Sequence, residues 1–244
     1  MKITSAFLAL IVSSCAFAQM KFPAVSSHAE IEQKVGLTDF EVVYNRPNVN
    51  NREIFGKLVP NREVWRTGAN ENTTISFDQP IKVNGKDLVA GKYGLFTIPN
   101  KNSWDIIFYK ESNNWGNQVD WKESNVALKV SAVPTKLKNE KLETFEIRFT
   151  NVKQNNADLV LAWDDISVKV NLETNTKEAV LKMIKENLNS NSSARDFYNS
   201  ANFYYTNRLD RKQALEWINT AIKKDAKVPG YFKELKETIE KDNY

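Results

Sequence analysis

Apolar and polar residues alternate along this chain from about Ala29 to Leu172, the period-2 pattern of strands with one buried face. Ala29-Glu30-Ile31-Glu32-Gln33-Lys34-Val35 sets the pattern, and Gly36-Leu37-Thr38-Asp39 turns it back into Phe40-Glu41-Val42-Val43-Tyr44. Further runs are Thr73 to Phe77, Ile81 to Val83, Tyr93 to Ile98, Trp104 to Tyr109, Ala127 to Val133, Thr144 to Thr150, Leu159 to Trp163 and Ile166 to Leu172. Asn84-Gly85 is a strong hairpin signal, because a type I′ turn needs positive φ at both central positions. Asp164-Asp165 reads as the turn between the last two strands. About ten short strands separated by turns predict a mainly β fold, an antiparallel β-sandwich or jelly roll. Within it, Arg52 to Val59 hints at a short helix.

At Thr174 the period lengthens. Ala179, Val180, Met183, Ile184 and Leu188 fall on one helical face, with Thr174 or Thr176 as N-cap. Helices follow over about Ala194 to Thr206, Arg211 to Lys224 and Val228 to Lys241, giving a three- to four-helix segment. Tyr198, Ala201, Tyr205, Ala214, Ile218 and Ala221 stand at the spacing of a tetratricopeptide repeat, whose small residues let two helices approach closely. A single repeat cannot bury its own faces. The segment therefore reads either as a helical cap on the sandwich or as a surface that docks a protein partner. The expected organisation is a leader over 1–18, a β-domain over 19–172 and a helical segment over 173–244.

The ends change the picture of where the protein works. Met1-Lys2, the apolar run Ile3 to Val12 and Ala16-Phe17-Ala18 before Gln19 form a signal-peptide pattern. The run is too short to span a hydrocarbon core of about 30 Å. Val12-Ser13-Ser14-Cys15 also matches a lipobox, with Cys15 as a lipidated first residue. Either route places the protein outside the cytoplasm. Cys15 is the single cysteine, so the processed chain carries no disulfide, which a domain of this size does not need. Removing Lys2 takes the net charge of +4 to +3, spread through the chain, which argues against nucleic acid as partner.

The residue types present exclude much chemistry. His28 is the single histidine, so a zinc site and a Ser-His-Asp triad lack their ligands and base. Phosphate-loop and dinucleotide fingerprints are missing, and the calcium-loop pattern with them. No metal and no cofactor is therefore expected. Glu63, Glu71, Asp105, Asp120, Asp164 and Asp165 remain as material for a carboxylate pair of the glycosidase kind. Trp104 and Trp163 sit in alternating runs and belong to a core, whereas Trp115 and Trp121 flank a polar loop.

The densest stretch is Val64-Trp65-Arg66-Thr67-Gly68-Ala69-Asn70-Glu71. As a binding loop it offers Trp65 for stacking, Arg66 as a fork for a carboxylate or phosphate, and Asn70 and Glu71 for directional contacts. As a self-locking loop it pairs Arg66 with Glu71, covers the sandwich edge with Trp65 and uses Gly68 for positive φ. Arg46 and Arg62 are close in sequence, and with Trp115 they complete the candidate binding set.

Those residues carry a resemblance. Gln33 to Asp39, Tyr44-Asn45-Arg46-Pro47, Arg52-Glu53-Ile54-Phe55-Gly56, Leu58-Val59-Pro60, Val64 to Glu71, Ala90 to Pro99 and Asn114-Trp115-Gly116 resemble the domain of unknown function 2911 family of exported bacterial proteins. The resemblance covers roughly 26–172. Where the family usually has Ser-Arg-Pro, this chain has Asn45-Arg46-Pro47. The resemblance implies a compartment and a helical C-terminal extension, and no established activity. The expected function is a non-enzymatic binding module for a polar small molecule or glycan of the envelope. The alternatives are a carboxylate-based hydrolase and a structural protein that docks partners on its C-terminal helices.

Overall fold

The computed structural model describes residues 22–116, 120–138, 140–225 and 227–242. The leader over 1–18 and Cys15 lie outside the described residues. Two antiparallel six-stranded sheets are followed by four helices. The first sheet has β1 (Ser27–Val35), β2 (Thr38–Arg46), β3 (Thr74–Phe77), β6 (Gly91–Ile98), β7 (Trp104–Tyr109) and β8 (Val126–Ala132) side by side in that order. In the second, β10 (Leu142–Thr150), β11 (Asn156–Asp164), β12 (Ile166–Thr174), β4 (Ile81–Val83) and β5 (Lys86–Leu88) run in sequence, with the short β9 (Thr135–Lys136) also on β12.

The alternation forces this arrangement. Val35, Phe40, Val42 and Tyr44 from the first sheet meet Phe145, Ile147, Leu159, Leu161, Trp163 and Val170 from the second in one buried core. At one end that core is aromatic: Trp65 stacks on Trp163 (centroids 5.9 Å, planes 17° apart) and packs edge-on against Phe145 at 5.3 Å. Each such pair adds about 0.5–1.5 kcal/mol beyond the area it buries. Tyr44 ties the sheets together directly, its hydroxyl accepting from Ile147 N at 3.0 Å. The Asn84-Gly85 hairpin forms as its residues require, with φ of 47° and 78° joining β4 to β5. Asp164, at φ 51°, turns β11 into β12.

Two local expectations need correction. Arg52 to Val59 is not a helix; it is a knot of turns in which Lys57 N and Val59 N both bond Ile54 O, bringing Ile54 and Val59 into the core. The N-cap of α1 (Thr176–Asn187) is Asn175, not either flanking threonine. Thr176 turns its hydroxyl to the β1–β2 turn, accepting from Leu37 N at 3.2 Å.

α2 (Ala194–Thr206), α3 (Arg211–Lys224) and α4 (Gly230–Lys241) share a second core of Phe197, Ala201, Ala214, Ile218, Ala221, Phe232 and Ile239. Ser193 closes a capping box with Asp196 at the start of α2, and Asp210 caps α3 through Gln213 N. No helix among the described residues is long and apolar enough to cross a membrane.

Candidate functional site

The Val64-to-Glu71 run is built as a pinched loop. Trp65 pairs with Thr97 on β6 through both backbone bonds (2.8 and 2.9 Å), occupying the position beside β6 that β3 leaves vacant. The chain then leaves the sheet and returns at Thr73, whose N–H donates to Arg66 O at 3.1 Å. Buried hydroxyls seal the neck: Thr73 Oγ1 donates to Thr67 O at 2.5 Å, and Thr67 Oγ1 lies 3.2 Å from Thr97 Oγ1. Positive φ falls on Thr67 (58°) and Asn70 (58°). A left-handed β-branched residue is a strained choice, held here by its hydrogen bonds. Gly68 has the expected positive φ, 159°, and an added Cβ would also sit 2.9 Å from Asn45 O and 3.1 Å from Thr73 Oγ1.

Locking the neck separates the candidates. The Trp65 ring lies in the core, and its Nε1 donates to Gly68 O at 3.1 Å. Arg66 and Glu71 face different cavities. Arg66 is half-buried in a cavity of about 340 Å³ whose walls include Arg52, Glu63 and Leu58 and whose base includes Trp65 and Trp163. Burial alone pulls the Arg66 guanidinium below its ordinary pKa. Glu71 opens onto a groove of about 440 Å³ over the outer face of β2, together with His28, Asn72, Lys92, Asn114 and Trp115.

Outside both cavities, Arg46 Nε donates to Phe145 O at 3.0 Å, holding the sheets together at the end of β2. Arg62 takes φ 65° in a turn whose N–H reaches Pro99 O at 2.8 Å. Asn70 accepts Gly116 N at 3.0 Å through its backbone carbonyl, which fixes the Trp115 loop on the pinched loop.

The groove is the better-organised of the two surfaces. Glu71 and Trp115 pair across an isolated antiparallel bridge. Glu71 Oε2 accepts from Asn45 Nδ2 at 3.1 Å, which orients the carboxylate. Asn72 and Asn114 exchange bonds of 2.9 and 2.8 Å between their backbones and the Asn72 amide oxygen. Trp115 is 73% exposed, the one tryptophan among the described residues with its ring open to solvent to this degree. Trp121 instead covers the outer face of the first sheet, stacked 4.4 Å from Tyr109. The Asn114 Nδ2 group is shielded from solvent and has no hydrogen-bond partner among the described residues. A buried donor in that state costs about 1–3 kcal/mol until something accepts from it.

Sequence reasoning missed His28, Lys92, Asn72 and Asn114 in the groove, and Asn48 and Arg52 in the cavity. The Asn114-Trp115-Gly116 motif was the available signal for one of them. It also missed Glu30, Glu32 and Glu41, whose carboxylates lie within 4.8 Å of one another because β1 and β2 set Glu32 opposite Glu41. Lys92, 3.9 Å from Glu41, offsets part of that charge. Asp164 and Asp165 spend their carboxylates on Lys141 and Lys136 at 3.2 and 3.1 Å.

The family model described as "Protein of unknown function (DUF2911)" matches residues 26–172, and the chain belongs to that family. Comparison with curated proteins and with solved structures gives no match.

Proposed function

We propose that this member of the DUF2911 family is an exported, non-enzymatic binding module that takes a polar glycan-type ligand in the groove beside Trp115. The observation that carries the reading is an exposed indole next to an orphaned buried amide, Asn114 Nδ2, on a loop clamped to a rigid sandwich. Sugar rings offer an apolar face for an indole and hydroxyls for directional partners. Glu71, oriented by Asn45, accepts from hydroxyls; Asn114 and Lys92 donate to them. The Met1–Ala18 leader supports export.

Hydrolysis of a glycosidic bond needs a second carboxylate about 5–10 Å from the first. Among the described residues lining the groove, Glu71 is the single acid, which favours binding over cleavage. The helical segment is the secondary surface: Ala201, Ala214 and Ala221 at the α2–α3 contact support a repeat-like hairpin suited to a protein partner.

A glycan screen on the folded chain tests the reading. Trp115→Ala, at a solvent-facing position that spares the core, is expected to weaken the best ligand by about tenfold or more. Equal affinity in folded Trp115→Ala and Glu71→Gln chains overturns it.

A further inference from the structure

The margins of the two sheets are not equivalent. The first sheet ends in β1 and β8, the second in β10 and β5. β5 is three residues long. Carbonyls of β8 are taken by the β4–β5 hairpin, Ser131 O accepting from Asn84 Nδ2 at 3.1 Å and Lys129 O from Lys86 Nζ at 3.4 Å. β10 slips register between Leu142 and Glu146, and the segment after β2 is bonded to its start, Val49 N to Glu143 O at 2.7 Å and Phe145 N to Pro47 O at 2.9 Å. β1 differs: its nine residues pair with β2 in unbroken register, and among the described residues no strand lies on its other side. A long, regular, uncovered edge is a template for another strand.

The hairpin fixes which groups that edge presents. Gly36 and Leu37 form a two-residue loop, so Val35 and Thr38 exchange both ladder bonds, and bonded pairs recur at every second residue. The residues between, His28, Glu30 and Glu32, turn N–H and C=O away from β2 and their side chains to the outer face. Lys34 O, next in this series, already accepts from Gln33 Nε2 at 2.8 Å. The carboxylates of Glu30, Glu32 and Glu41 lie within 4.8 Å of one another. Glu41 is engaged by Ser76 Oγ at 3.2 Å and by Lys92 at 3.9 Å, and Lys34 is engaged by Asp39 at 2.7 Å. Glu30 and Glu32 are exposed, with neither a hydrogen bond nor an ion pair to their side chains among the described residues. On the inner face Ala29 and Ile31 are half-buried at the margin of the core. An added strand therefore meets carboxylates on one face and apolar side chains on the other. A second copy suits this edge poorly: the fullest self-pairing, centred on Ile31, sets Glu30 opposite Glu32, and like charges face to face destabilise a ladder.

We propose that the β1 edge docks an extended segment of a protein partner in which lysines alternate with apolar residues. Its lysines lie opposite Glu30 and Glu32, and its apolar residues continue the core beside Ala29 and Ile31. The contact touches the Trp115 groove only at His28.

The probe is a heptapeptide alternating lysine and valine, read by calorimetry and by amide hydrogen exchange on the folded chain. It is expected to saturate at about 100 μM or below and to slow exchange at the Glu30 and Glu32 amides by about tenfold or more. A peptide of the same composition with its lysines in one block is expected to bind about tenfold more weakly. The same holds for the alternating peptide N-methylated at its lysines, whose amides face β1. Glu30→Lys combined with Glu32→Lys is expected to weaken the lysine peptide by about tenfold and to favour a glutamate–valine one. Failure to saturate below about 1 mM, equal affinity for the block or N-methylated peptide, or unchanged exchange at Glu30 and Glu32 overturns the proposal. So does a dimer formed through β1 without peptide. The peptide comparisons decide the matter even where the double variant does not fold.

Discussion

The sandwich and the helical segment solve the burial problem in opposite ways. The sandwich joins residues far apart in the chain: the Tyr44 hydroxyl bonds the backbone of Ile147, 103 positions away, and Trp65 stacks on Trp163. Its strand β11, paired on both sides, is buried at seven consecutive positions, Ala157 to Trp163. The helices bury neighbours in sequence, and their core sets Ala201, Ala214 and Ala221 among Phe197, Ile218, Phe232, Leu235 and Ile239. α1 buries only Thr176. Rigidity is therefore concentrated in the sandwich, and both candidate binding surfaces open onto it, where loops hold their shape because their bases are ladder-bonded.

The sharpest way to break this contrast is to cut a large aromatic from the sandwich. Trp163→Ala is expected to cost about 3–5 kcal/mol, and Ile218→Ala in α3 about 2–5 kcal/mol. Denaturant titration should show the first lowering the transition seen by sandwich fluorescence, and the second lowering the helical signal ahead of it. Coincident loss of both signals in both variants would show one cooperative unit and erase the distinction.

A smaller effect tests the polar side of the sandwich. Asp158 is nearly buried on β11, and hydrogen bonds from Asn151 at 2.9 Å, Asn171 at 3.1 Å and Lys169 at 3.2 Å favour its charged form. Those bonds, Asn151's first, hold its carboxyl below the ordinary range. A depressed folded-state pKa means the stabilisation is complete above about pH 4 and is lost as pH falls through the folded value. Asp158→Asn is expected to destabilise by about 1–2 kcal/mol at neutral pH. The gap to the unsubstituted chain should close on acidification, and a gap that stays constant down to about pH 2 would discard the network.

The least effect is expected on α1. Met183 is 48% exposed, and Met183→Ala should change stability by less than about 0.5 kcal/mol in thermal or chemical melts. A loss of about 2 kcal/mol would mean that α1 is packed as firmly as its neighbours.

The sandwich was largely legible because alternation is local. Trp104 and Trp163 stand at inward positions of their runs, and both are buried. The helices expected over Ala194 to Thr206 and Arg211 to Lys224 form with those bounds, and Ser193 and Asp210 cap them. The candidate surfaces were not legible, since their members meet across strands. His28 reaches Asn45 only through the β1–β2 register, and Lys92 comes from β6. Arg66 and Glu71, five positions apart, look like partners in the sequence until the Arg66–Thr73 closure turns them to different cavities. Positive φ at Gly68 was legible on propensity, whereas the left-handed conformation that buried hydroxyl bonds impose on Thr67 was not.

Thr176 gives the helical segment a mechanical property of its own. Gly36 leaves room for it: a Cβ there would stand 2.0 Å from Thr176 Oγ1 and 2.3 Å from Gln154 O. α1 extends from this contact for 12 residues, about 18 Å of rise. The pair is thus a fulcrum with a long arm. A side chain added at Gly36 would act as a wedge, swinging the far end of α1 by several times the displacement at its root.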